Sequence, residues 1–419
     1  MNVRSILPFL AVALLQCAPV TNSNTDGGAD ADAGPVPTWY EDIAPFAYAQ
    51  CGNCHQAGAI GPFDITDWAQ VQPRAMLIAH EVSARTMPPM PVDNSGACHT
   101  YTNARYLTDE QIATIQNWAT HGAPQGDPAN GPAHPAPLPT LANPNINIET
   151  GVDWTPQPPP GLHDEYRCFL ADPGNAADTF VTGYEVVPGD PRVVHHVIVY
   201  AFENAAGDTE AQMLDAQDPA PGYPCYGGAG VASAMPIVLW APGAGAMTFP
   251  NATGLQLPGA RHVVIQVHYN LDNGTFPDRT RIRFTTSDSN VTRAYFAPII
   301  NSNLSLPPGM ASVSSSTDVS LSALPIPVRI WGVLPHMHQL GRTLHIDRMT
   351  SSGTSCVVDT PRWDFHWQGV WWYDSALRVT PSDTLRLNCT YDTSSRTATT
   401  TWGEGTSDEM CLAYFYVSP

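Results

Sequence analysis

From residue 165 to the carboxyl terminus, short apolar runs alternate with polar positions and are separated by Pro, Gly, Asn and Asp. The segments VVHHVIVY, HVVIQVHYN and MCLAYFYV carry this alternation. A period of two is typical of half-buried β-strands, and the separating residues favour turns. Helical periodicity is almost absent, which favours antiparallel packing over a parallel sheet with crossover helices. We therefore predict a mainly β protein with two antiparallel β-sandwich domains, at residues 161–290 and 291–419.

Residues 39–122 show a different pattern, which ends in apolar positions at helical spacing. The segment LTDEQ at residues 107–111 supplies a helix cap, and Ile112, Ile115 and Trp118 follow it. We predict a small α-helical domain here.

Two further segments are predicted to connect the domains. Residues 18–38 have almost no large apolar side chains, and we predict a disordered tether. Residues 123–160 are rich in Pro, Asn and Gly, which removes backbone donors and favours extended conformations, so we predict a semi-rigid linker.

The amino-terminal residues have the pattern of an export signal. Arg4 precedes an apolar run that is too short to span a bilayer, so we predict a signal peptide at residues 1–17. The end of this run resembles a bacterial lipobox with an acylated Cys17, although Gln16 stands where a small residue is expected. An ordinary secretory signal is the alternative. Both place the protein outside the cytoplasm, in the periplasm, on the outer membrane as a lipoprotein, or secreted.

Composition narrows the range of partners. The chain has 38 acidic and 18 basic side chains and a net charge of -20, which argues against nucleic acid and anionic lipid headgroups as partners. Membrane attachment therefore requires a lipid on Cys17. An exported chain can form disulfides, but spacing alone leaves open how its six remaining cysteines pair. These six are Cys98, Cys168, Cys225, Cys356, Cys389 and Cys411.

The sequence CGNCH at residues 51–55 matches the signature for covalent attachment of a c-type haem. In that chemistry Cys51 and Cys54 bond to the haem vinyl groups, and His55 becomes an axial iron ligand. A chance match and a dithiol redox pair are the alternatives. A thioredoxin-like pair needs a strand-helix setting, whereas the loop AGAIGPF follows here. We predict a haem.

A second axial ligand is expected downstream of this motif. The segment RTMPPMP at residues 85–91 places two thioethers on a proline-stiffened loop. The segment resembles small bacterial cytochromes c, and by that resemblance Met87 is the preferred ligand in a cytochrome c-like domain. Met90, His80 and His99 stay open as alternatives.

Two histidines at alternate positions, His336 and His338, end an apolar run. Residues two apart point to the same face of a strand, so both imidazoles can reach one ion. A thioether added to two imidazoles favours copper over zinc, because soft sulfur stabilises Cu(I). Met410 could supply the sulfur, and alternation places it on the same face as Tyr414. Taken alone, Met410 is more often a core residue.

A second group of histidines lies in the preceding domain. Alternation puts Gln266 and His268 on one face of an apolar strand, and buried polar side chains need partners. The side chains of His195 and His196 diverge in a regular strand, so both can reach one ion only at a bulge or a strand end. The strand pattern alone favours one structural and one exposed histidine.

Together, these segments resemble the copper type II, ascorbate-dependent monooxygenases, the family of peptidylglycine α-hydroxylating and dopamine β-monooxygenases. The motifs are the adjacent histidines, QVHY, HMHQLGR and DEMC, in the family's order over residues 165–419. The resemblance implies two jelly-roll-like sandwiches with one copper each. It assigns His195, His196 and His268 to an electron-storing copper, and His336, His338 and Met410 to an oxygen-binding copper.

The resemblance also implies further functional positions. Tyr166, Gln266 and Tyr414 fall beside the metal ligands in catalytic positions, with strand packing as the alternative role.

The same resemblance bears on the disulfides. Cys389 and Cys411 match a family bridge, Cys168 with Cys225 is a plausible second one, and Cys98 and Cys356 are left unassigned.

One departure from the family restricts the substrate. Amidating members carry an arginine two residues before the H-x-H motif and an asparagine two residues after the copper methionine. Both side chains bind a peptide carboxylate. Here these positions hold Leu334 and Leu412. A carboxylate would have no charge-assisted hydrogen-bond partner in a cleft that excludes water, so a neutral or apolar substrate is predicted.

We predict an exported copper-dependent monooxygenase that hydroxylates a C–H bond of a small organic substrate with O2. The haem domain, held by the linker at residues 123–160, is predicted to pass electrons to the histidine copper. Ascorbate or a redox protein would supply them. The alternatives are an exported copper-binding or electron-transfer lipoprotein without hydroxylase activity, and a structural sandwich whose histidines bind no metal.

Overall fold

The apolar alternation folds into layers of antiparallel strands, and a small helical segment precedes them. The computed structural model describes residues 35–135, 138–403 and 408–419. The predicted signal peptide, Cys17 and residues 18–34 of the predicted tether lie outside the described residues. Within the described part, no helix has the length and apolar character needed to cross a membrane.

The amino-terminal segment is helical, as its sequence pattern predicts. Its helices are α1 (Ala44–Cys51), α2 (Trp68–Val71), α3 (Ala75–Ser83) and α4 (Asp109–Thr120). A capping box begins α4, because the Thr108 hydroxyl accepts from Gln111 N and the Gln111 side chain accepts from Thr108 N. Ile112, Ile115 and Trp118 are buried along α4, so one apolar face holds this helix on the segment's core.

The first sandwich consists of two sheets. Its strands are β1 (Ile146–Glu149), β2 (Asp164–Ala171), β3 (Thr179–Val187), β4 (Val194–Phe202), β5 (Tyr223–Pro224), β6 (Ala234–Trp240), β7 (Met247–Thr248), β8 (Thr253–Leu257), β9 (Val263–Asn270) and β10 (Arg281–Ser287). One sheet has the order β5-β2-β9-β4-β6, and the other joins β1, β10, β3 and β8, with β7 beside β3. In β9, Ile265 and Val267 enter the core, so alternation sends Gln266 and His268 to the opposite face.

The second sandwich has the same two-layer plan. Its strands are β11 (Thr292–Ile300), β12 (Ser305–Leu306), β13 (Val313–Ser320), β14 (Val328–His336), β15 (Gly341–Thr350), β16 (Gly353–Thr360), β17 (Trp371–Val379), β18 (Thr384–Tyr391), β19 (Thr400–Thr401) and β20 (Leu412–Ser418). One sheet has the order β11-β20-β14-β17 and the other β13-β18-β15-β16, while β12 pairs with β19. The prediction of a mainly β fold with antiparallel sandwiches is confirmed.

The two sandwiches are continuous through one sheet. Strands β8 and β11 pair in parallel, with Thr253 opposite Thr292, across the predicted domain boundary. Leu334, Trp372 and Tyr416 of the second sandwich also pack into the core of the first. Shared core packing therefore fixes the position of the two histidine-bearing faces relative to each other.

Two elements depart from the sequence pattern. A helix, α5 (Ala205–Gln217), lies between β4 and β5, where the pattern predicts strands alone. Asn204 caps it by accepting from Gly207 N at 3.0 Å. Strand β1 lies inside the predicted linker and pairs with β10, so the second half of residues 123–160 contributes an edge strand to the first sandwich.

A segment between α3 and α4, residues 90–104, packs on the second sandwich. Val92 and Tyr101 are buried in that sandwich's core, and the Tyr101 and Tyr373 rings lie 5.1 Å apart. A disulfide joins Cys98 to Cys356, which the sequence leaves unassigned. The helical segment is therefore fastened to the second sandwich as well as joined to the first through the chain. Two more disulfides join Cys168 to Cys225 and Cys389 to Cys411.

Replacing Cys98 and Cys356 together by serine is expected to lower the free energy of unfolding by about 2–4 kcal/mol, because the bridge restricts the unfolded chain. The bridged residues are 258 positions apart. Chemical denaturation measures the loss, and limited proteolysis should cut residues 90–104 faster. The matched control is the Cys168 and Cys225 pair, 57 positions apart, whose loss should leave that cleavage slow. Equal cleavage in both variants would contradict a fastening role for Cys98–Cys356.

Candidate metal centres

A β-bulge brings together the three histidines of the first sandwich. The pairing of β4 with β9 shifts register between Val194 and His196, so His195 is the extra residue. One ring nitrogen from each of His195, His196 and His268 lies within 4.8 Å of the others. The strand pattern alone favours separate roles for His195 and His196. That expectation is wrong, because the bulge removes the alternation that would point them apart.

His268 is held in one orientation by its neighbours. Its Nε2–H donates to Asp164 at 2.8 Å, which leaves Nδ1 directed at His196 Nδ1, 3.1 Å away. Two nitrogens that each lie about 2.0 Å from one ion are separated by roughly this distance. The Tyr166 ring stacks on His268 at 4.1 Å and 6°. This arrangement presents the His268 lone pair to the centre of the cluster.

The electrostatics of this cluster favour neutral imidazoles. Burial, followed by the neighbouring His268 and His366, lowers the pKa of His195 to about 3. Burial also lowers the pKa values of His196 and His268. Among the described residues, His195 Nδ1 is buried without a hydrogen-bond partner. Neutral histidine is the form that binds metals, so this unpartnered nitrogen fits a metal centre.

Substituting Asp164 by asparagine is expected to weaken metal binding at these histidines about 10–100-fold, because outer partners fix the tautomer and orientation of a ligating histidine. The hydrogen bond from His268 lowers the pKa of Asp164 to about 2, so it is a carboxylate at neutral pH. Titration against a copper chelator measures the affinity. Asp153→Asn, in an exposed pair with Arg279, is the control. An unchanged affinity in Asp164→Asn would remove Asp164 from this role.

The second group of histidines lies where β14 ends. His336 Nδ1–H donates to Gln368 Oε1 at 2.6 Å, and His338 Nδ1–H donates to the Asp408 carbonyl at 3.1 Å. With Nδ1 donating, Nε2 is the nitrogen that each ring would offer to a metal, and the ring centroids lie 5.4 Å apart. Burial, followed by the neighbouring His338, lowers the pKa of His336 to about 4. His338 lies beyond the last strand residue, so the turn positions it rather than strand alternation alone.

A buried carboxylate holds that turn against the segment before β20. Glu409 accepts backbone hydrogen bonds from His338 at 2.9 Å, Leu340 at 2.6 Å and Met410 at 3.2 Å. Its side chain is fully buried, and burial raises the pKa of Glu409 to about 7. The backbone of Met410 is also fixed by the Tyr391 hydroxyl, which donates to its carbonyl at 2.9 Å. Glu409 thus ties the backbone of His338 to that of Met410.

The surface beside His336 is apolar. His336 lies opposite Leu412 in the β14–β20 register, and Leu334 lies opposite Tyr414. Directly opposed residues share a face of a sheet, so both leucines flank His336 on one side. Leu334 and Leu412 are buried.

The two other predicted catalytic residues differ in surroundings. Tyr166 contacts His268, as described above. Gln266 donates instead to the Gly228 and Cys225 carbonyls at 2.9 and 3.2 Å, so its contacts brace the loop that carries a disulfide. These contacts of Gln266 therefore favour a packing role at that loop.

The CGNCH motif opens on a cavity of about 340 Å³. Cys51 and Cys54 are free, and both line the cavity with His55 and Met87. The cavity extends to His195 in the first sandwich.

The alternative axial ligands lie elsewhere. Met90 packs on the core of the second sandwich, His80 is exposed beside Glu81, and His99 bonds the Cys356 carbonyl at 3.0 Å. Met87 is therefore the candidate that shares the cavity with His55.

A loop that the sequence patterns do not single out touches both groups of histidines. We call residues 361–370, between β16 and β17, the bridging loop. It presents Gln368 to His336, as described above. Its His366 and Trp367 rings lie 5.9 and 6.2 Å from the His195 ring, and both line the cavity. No strand or motif pattern marks this loop, so its sequence carries no signal for this role.

Comparison with known proteins follows the same division of the chain. Residues 155–275 match the model of the copper type II ascorbate-dependent monooxygenase N-terminal domain, and residues 296–418 match that of the C-terminal domain. Together they cover more than half of the chain. The helical segment lies outside both matches.

Curated relatives match the same region. Tyramine beta-hydroxylase of Caenorhabditis briggsae is 27% identical over 289 residues, 63% of this chain and 47% of the relative. DBH-like monooxygenase protein 1 of Gallus gallus is 27% identical over 259 residues, 54% and 39%. Dopamine beta-hydroxylase of Rattus norvegicus is 25% identical over 291 residues, 62% and 44%. The chain thus spans less than half the length of these relatives. With both domain models matched in order over two sandwiches that carry the histidine groups, the chain belongs to the copper type II ascorbate-dependent monooxygenases.

Proposed function

We propose that this protein is a copper-dependent monooxygenase that hydroxylates a C–H bond of a small organic substrate with O2. The observation that carries the proposal is the cluster of His195, His196 and His268, whose ring nitrogens converge at a bulge. Family membership supports copper as the metal. The names of two relatives, tyramine and dopamine beta-hydroxylase, support hydroxylation.

Two ligand sets are proposed. His195, His196 and His268 hold one copper, and His336, His338 and Met410 hold the other. When bound, copper supplies one-electron redox chemistry and oxygen activation. The chain's own residues hold the ligand nitrogens: Asp164 orients His268, Gln368 orients His336, and the Asp408 carbonyl orients His338. With one ring nitrogen donating to its acceptor, the other nitrogen of each imidazole is the one that would bind copper.

A neutral or apolar substrate is proposed for the face beside His336. Leu334 and Leu412 occupy that face and provide no partner for a carboxylate. Burying a carboxylate there costs free energy because no charged donor replaces its water. Tyr414 shares this face and is proposed to contact the substrate, while Tyr166 packs on the histidine centre.

Copper loading and oxygen uptake test the activity. Purified protein should bind two coppers per chain and, with ascorbate, convert tyramine or a neutral aromatic probe into a product containing oxygen from 18O2. Protein loaded with Zn(II) is the control, because zinc has no redox chemistry at these potentials. Two bound coppers without an oxygen-labelled product from any probe would indicate a copper-binding or electron-transfer protein instead.

We also propose that the helical segment carries a c-type haem. Cys51 and Cys54 supply the thioether bonds, and His55 and Met87 the axial ligands. The support is that both thiols are free and that His55 and Met87 line one cavity. Burial lowers the pKa of His55, which favours the neutral ring that binds iron. Haem attachment should add a covalent mass that survives denaturation, and Cys51→Ala with Cys54→Ala should lose it.

The proposed role of the haem is electron supply to the histidine copper. The haem cavity is lined by His195, so donor and acceptor sites adjoin. Mixing fully reduced protein with O2 and a probe that it hydroxylates in a stopped-flow instrument should oxidise the haem as copper turns over. A haem that stays ferrous during turnover would rule out this supply. The external donor is ascorbate or a reduced redox protein.

We propose that the protein is exported. Three disulfides in the described residues favour an oxidising compartment. Lipid attachment at Cys17 and the resulting membrane anchoring stay predictions, and metabolic labelling with a fatty acid tests them.

A further inference from the structure

The bridging loop and the histidine centre line the same cavity, the one proposed to hold the haem. His366 and Trp367, which belong to the second sandwich, line the cavity. Both of their rings contact His195 of the first sandwich. The next residue, Gln368, bonds the histidine at the end of β14. Three successive side chains therefore touch the cavity and both proposed metal centres.

Hydrogen bonds fix the conformation of this loop. Asp364 Oδ1 accepts from His366 N at 2.9 Å and from His366 Nδ1 at 3.1 Å, and the Asp364 carbonyl accepts from Trp367 N at 3.1 Å. The Gln368 side chain donates to the Phe365 carbonyl at 2.8 Å. These bonds hold the His366 ring and the backbone of Trp367 in place, and a site needs such support to keep its geometry constant.

The helical segment is fixed to the same loop. Arg362 donates to the Ala84 carbonyl, which directly follows α3. The Cys98–Cys356 disulfide joins the helical segment to the strand before the loop. On the other side, Arg105 contacts Cys54 Sγ at 3.6 Å and the Gly243 carbonyl of the first sandwich. The haem cavity is therefore held against both sandwiches rather than carried on a free linker.

We propose that His366 and Trp367 are positioning residues that couple the haem cavity to the histidine centre and set the rate of electron transfer between them. This inference rests on the proposed haem and copper sites. In each transfer one electron leaves Fe(II) haem, which becomes Fe(III), and reduces one Cu(II) to Cu(I). No bond forms or breaks and no proton is required. Ascorbate, an ene-diol reductant, restores the ferrous haem.

Electron transfer over short distances depends on contact between the intervening groups. The Trp367 ring lines the cavity 6.2 Å from the His195 ring, and His366 supplies a second ring held by Asp364. A leucine at position 367 keeps apolar packing but removes the ring, whereas a phenylalanine keeps an aromatic contact. The pair of variants therefore separates an aromatic coupling role from a packing role.

Anaerobic flash photoreduction of the whole chain tests the coupling without substrate or oxygen. A photogenerated flavin semiquinone injects one electron into the haem of Cu(II)-loaded protein, and the haem absorbance reports its return to the ferric state. Trp367→Leu and His366→Gln should slow this return about tenfold, and Trp367→Phe should restore most of the rate. Haem spectrum and copper content per chain are measured for every variant.

Matched controls lie away from the loop. Trp331→Phe changes a partly buried tryptophan whose indole bonds Ser418, and His345→Gln changes a histidine that, like His366, is paired with an aspartate. Both should return the electron at the wild-type rate. Zn(II)-loaded wild type should show no return, which identifies copper as the acceptor.

The outcomes separate the inference from the function on which it rests. Wild-type protein whose haem is reduced but never returns to the ferric state overturns the electron supply and the coupling with it. Wild-type return that is equally fast in Trp367→Leu and His366→Gln, with haem and copper retained, overturns the coupling alone. Loss of copper from either variant would make that residue a ligand or ligand support and would also overturn the coupling role.

Discussion

Replacing His268 by alanine is expected to leave one copper per chain and to lower turnover by at least about 100-fold, since even outer-shell changes cost 10–100-fold. His268 lies at the centre of the cluster, 3.1 Å from His196 through Nδ1 and anchored to Asp164 through Nε2. Without His268, only two of the three proposed ligands remain, and these two imidazoles no longer share an ion. Metal analysis and 18O2 incorporation into the probe measure the two effects.

The control for His268→Ala is His345→Ala, which removes a histidine that bonds Asp359 and Asp347 on the second sandwich. It should retain both coppers and wild-type turnover. A His268→Ala protein that still binds two coppers would place the first metal elsewhere. Circular dichroism distinguishes a lost ligand from a lost fold, since β9 is a central strand.

Replacing Glu409 by alanine is expected to lower the free energy of unfolding by about 4 kcal/mol, because each buried donor left without a partner costs about 1–3 kcal/mol. Three backbone N–H groups, those of His338, Leu340 and Met410, lose their acceptor. The turn that places His338 should loosen at the same time. Chemical denaturation of the metal-free protein measures the loss.

Glu409→Gln is the matched variant, because it keeps one acceptor oxygen and the side-chain volume. We expect it to lose less stability than Glu409→Ala and to retain more copper at His336, His338 and Met410. Equal stability of wild type and Glu409→Ala would show that solvent or other groups satisfy these donors.

The sequence patterns predicted the architecture because local periodicity determines which face of an element is apolar. Alternation in β9 separates Ile265 from Gln266, and the capping box at Thr108 marks the start of α4. Strand β1 and helix α5 escaped prediction, since β1 is short and lies in a proline-rich region and α5 carries a weak apolar face. Only three residues of α5 are buried, so its sequence shows little helical periodicity of apolar positions.

For the candidate sites, the order of amino acids alone supplied the motifs CGNCH, the adjacent histidines, QVHY, HMHQLGR and DEMC. These motifs led to the family without reference to the fold. Periodicity, however, gave the wrong expectation for His195 and His196, because a bulge depends on the register of a partner strand and not on the strand's own residues.

What these motifs face depends on how the sheets and the helical segment pack together. The bridging loop reaches both histidine groups and the cavity beside CGNCH because its flanking strands, β16 and β17, belong to different sheets. The Cys98–Cys356 bridge likewise joins segments 258 residues apart. Contacts of this kind depend on the packing of whole sheets and on chain closure, which no window of local sequence contains.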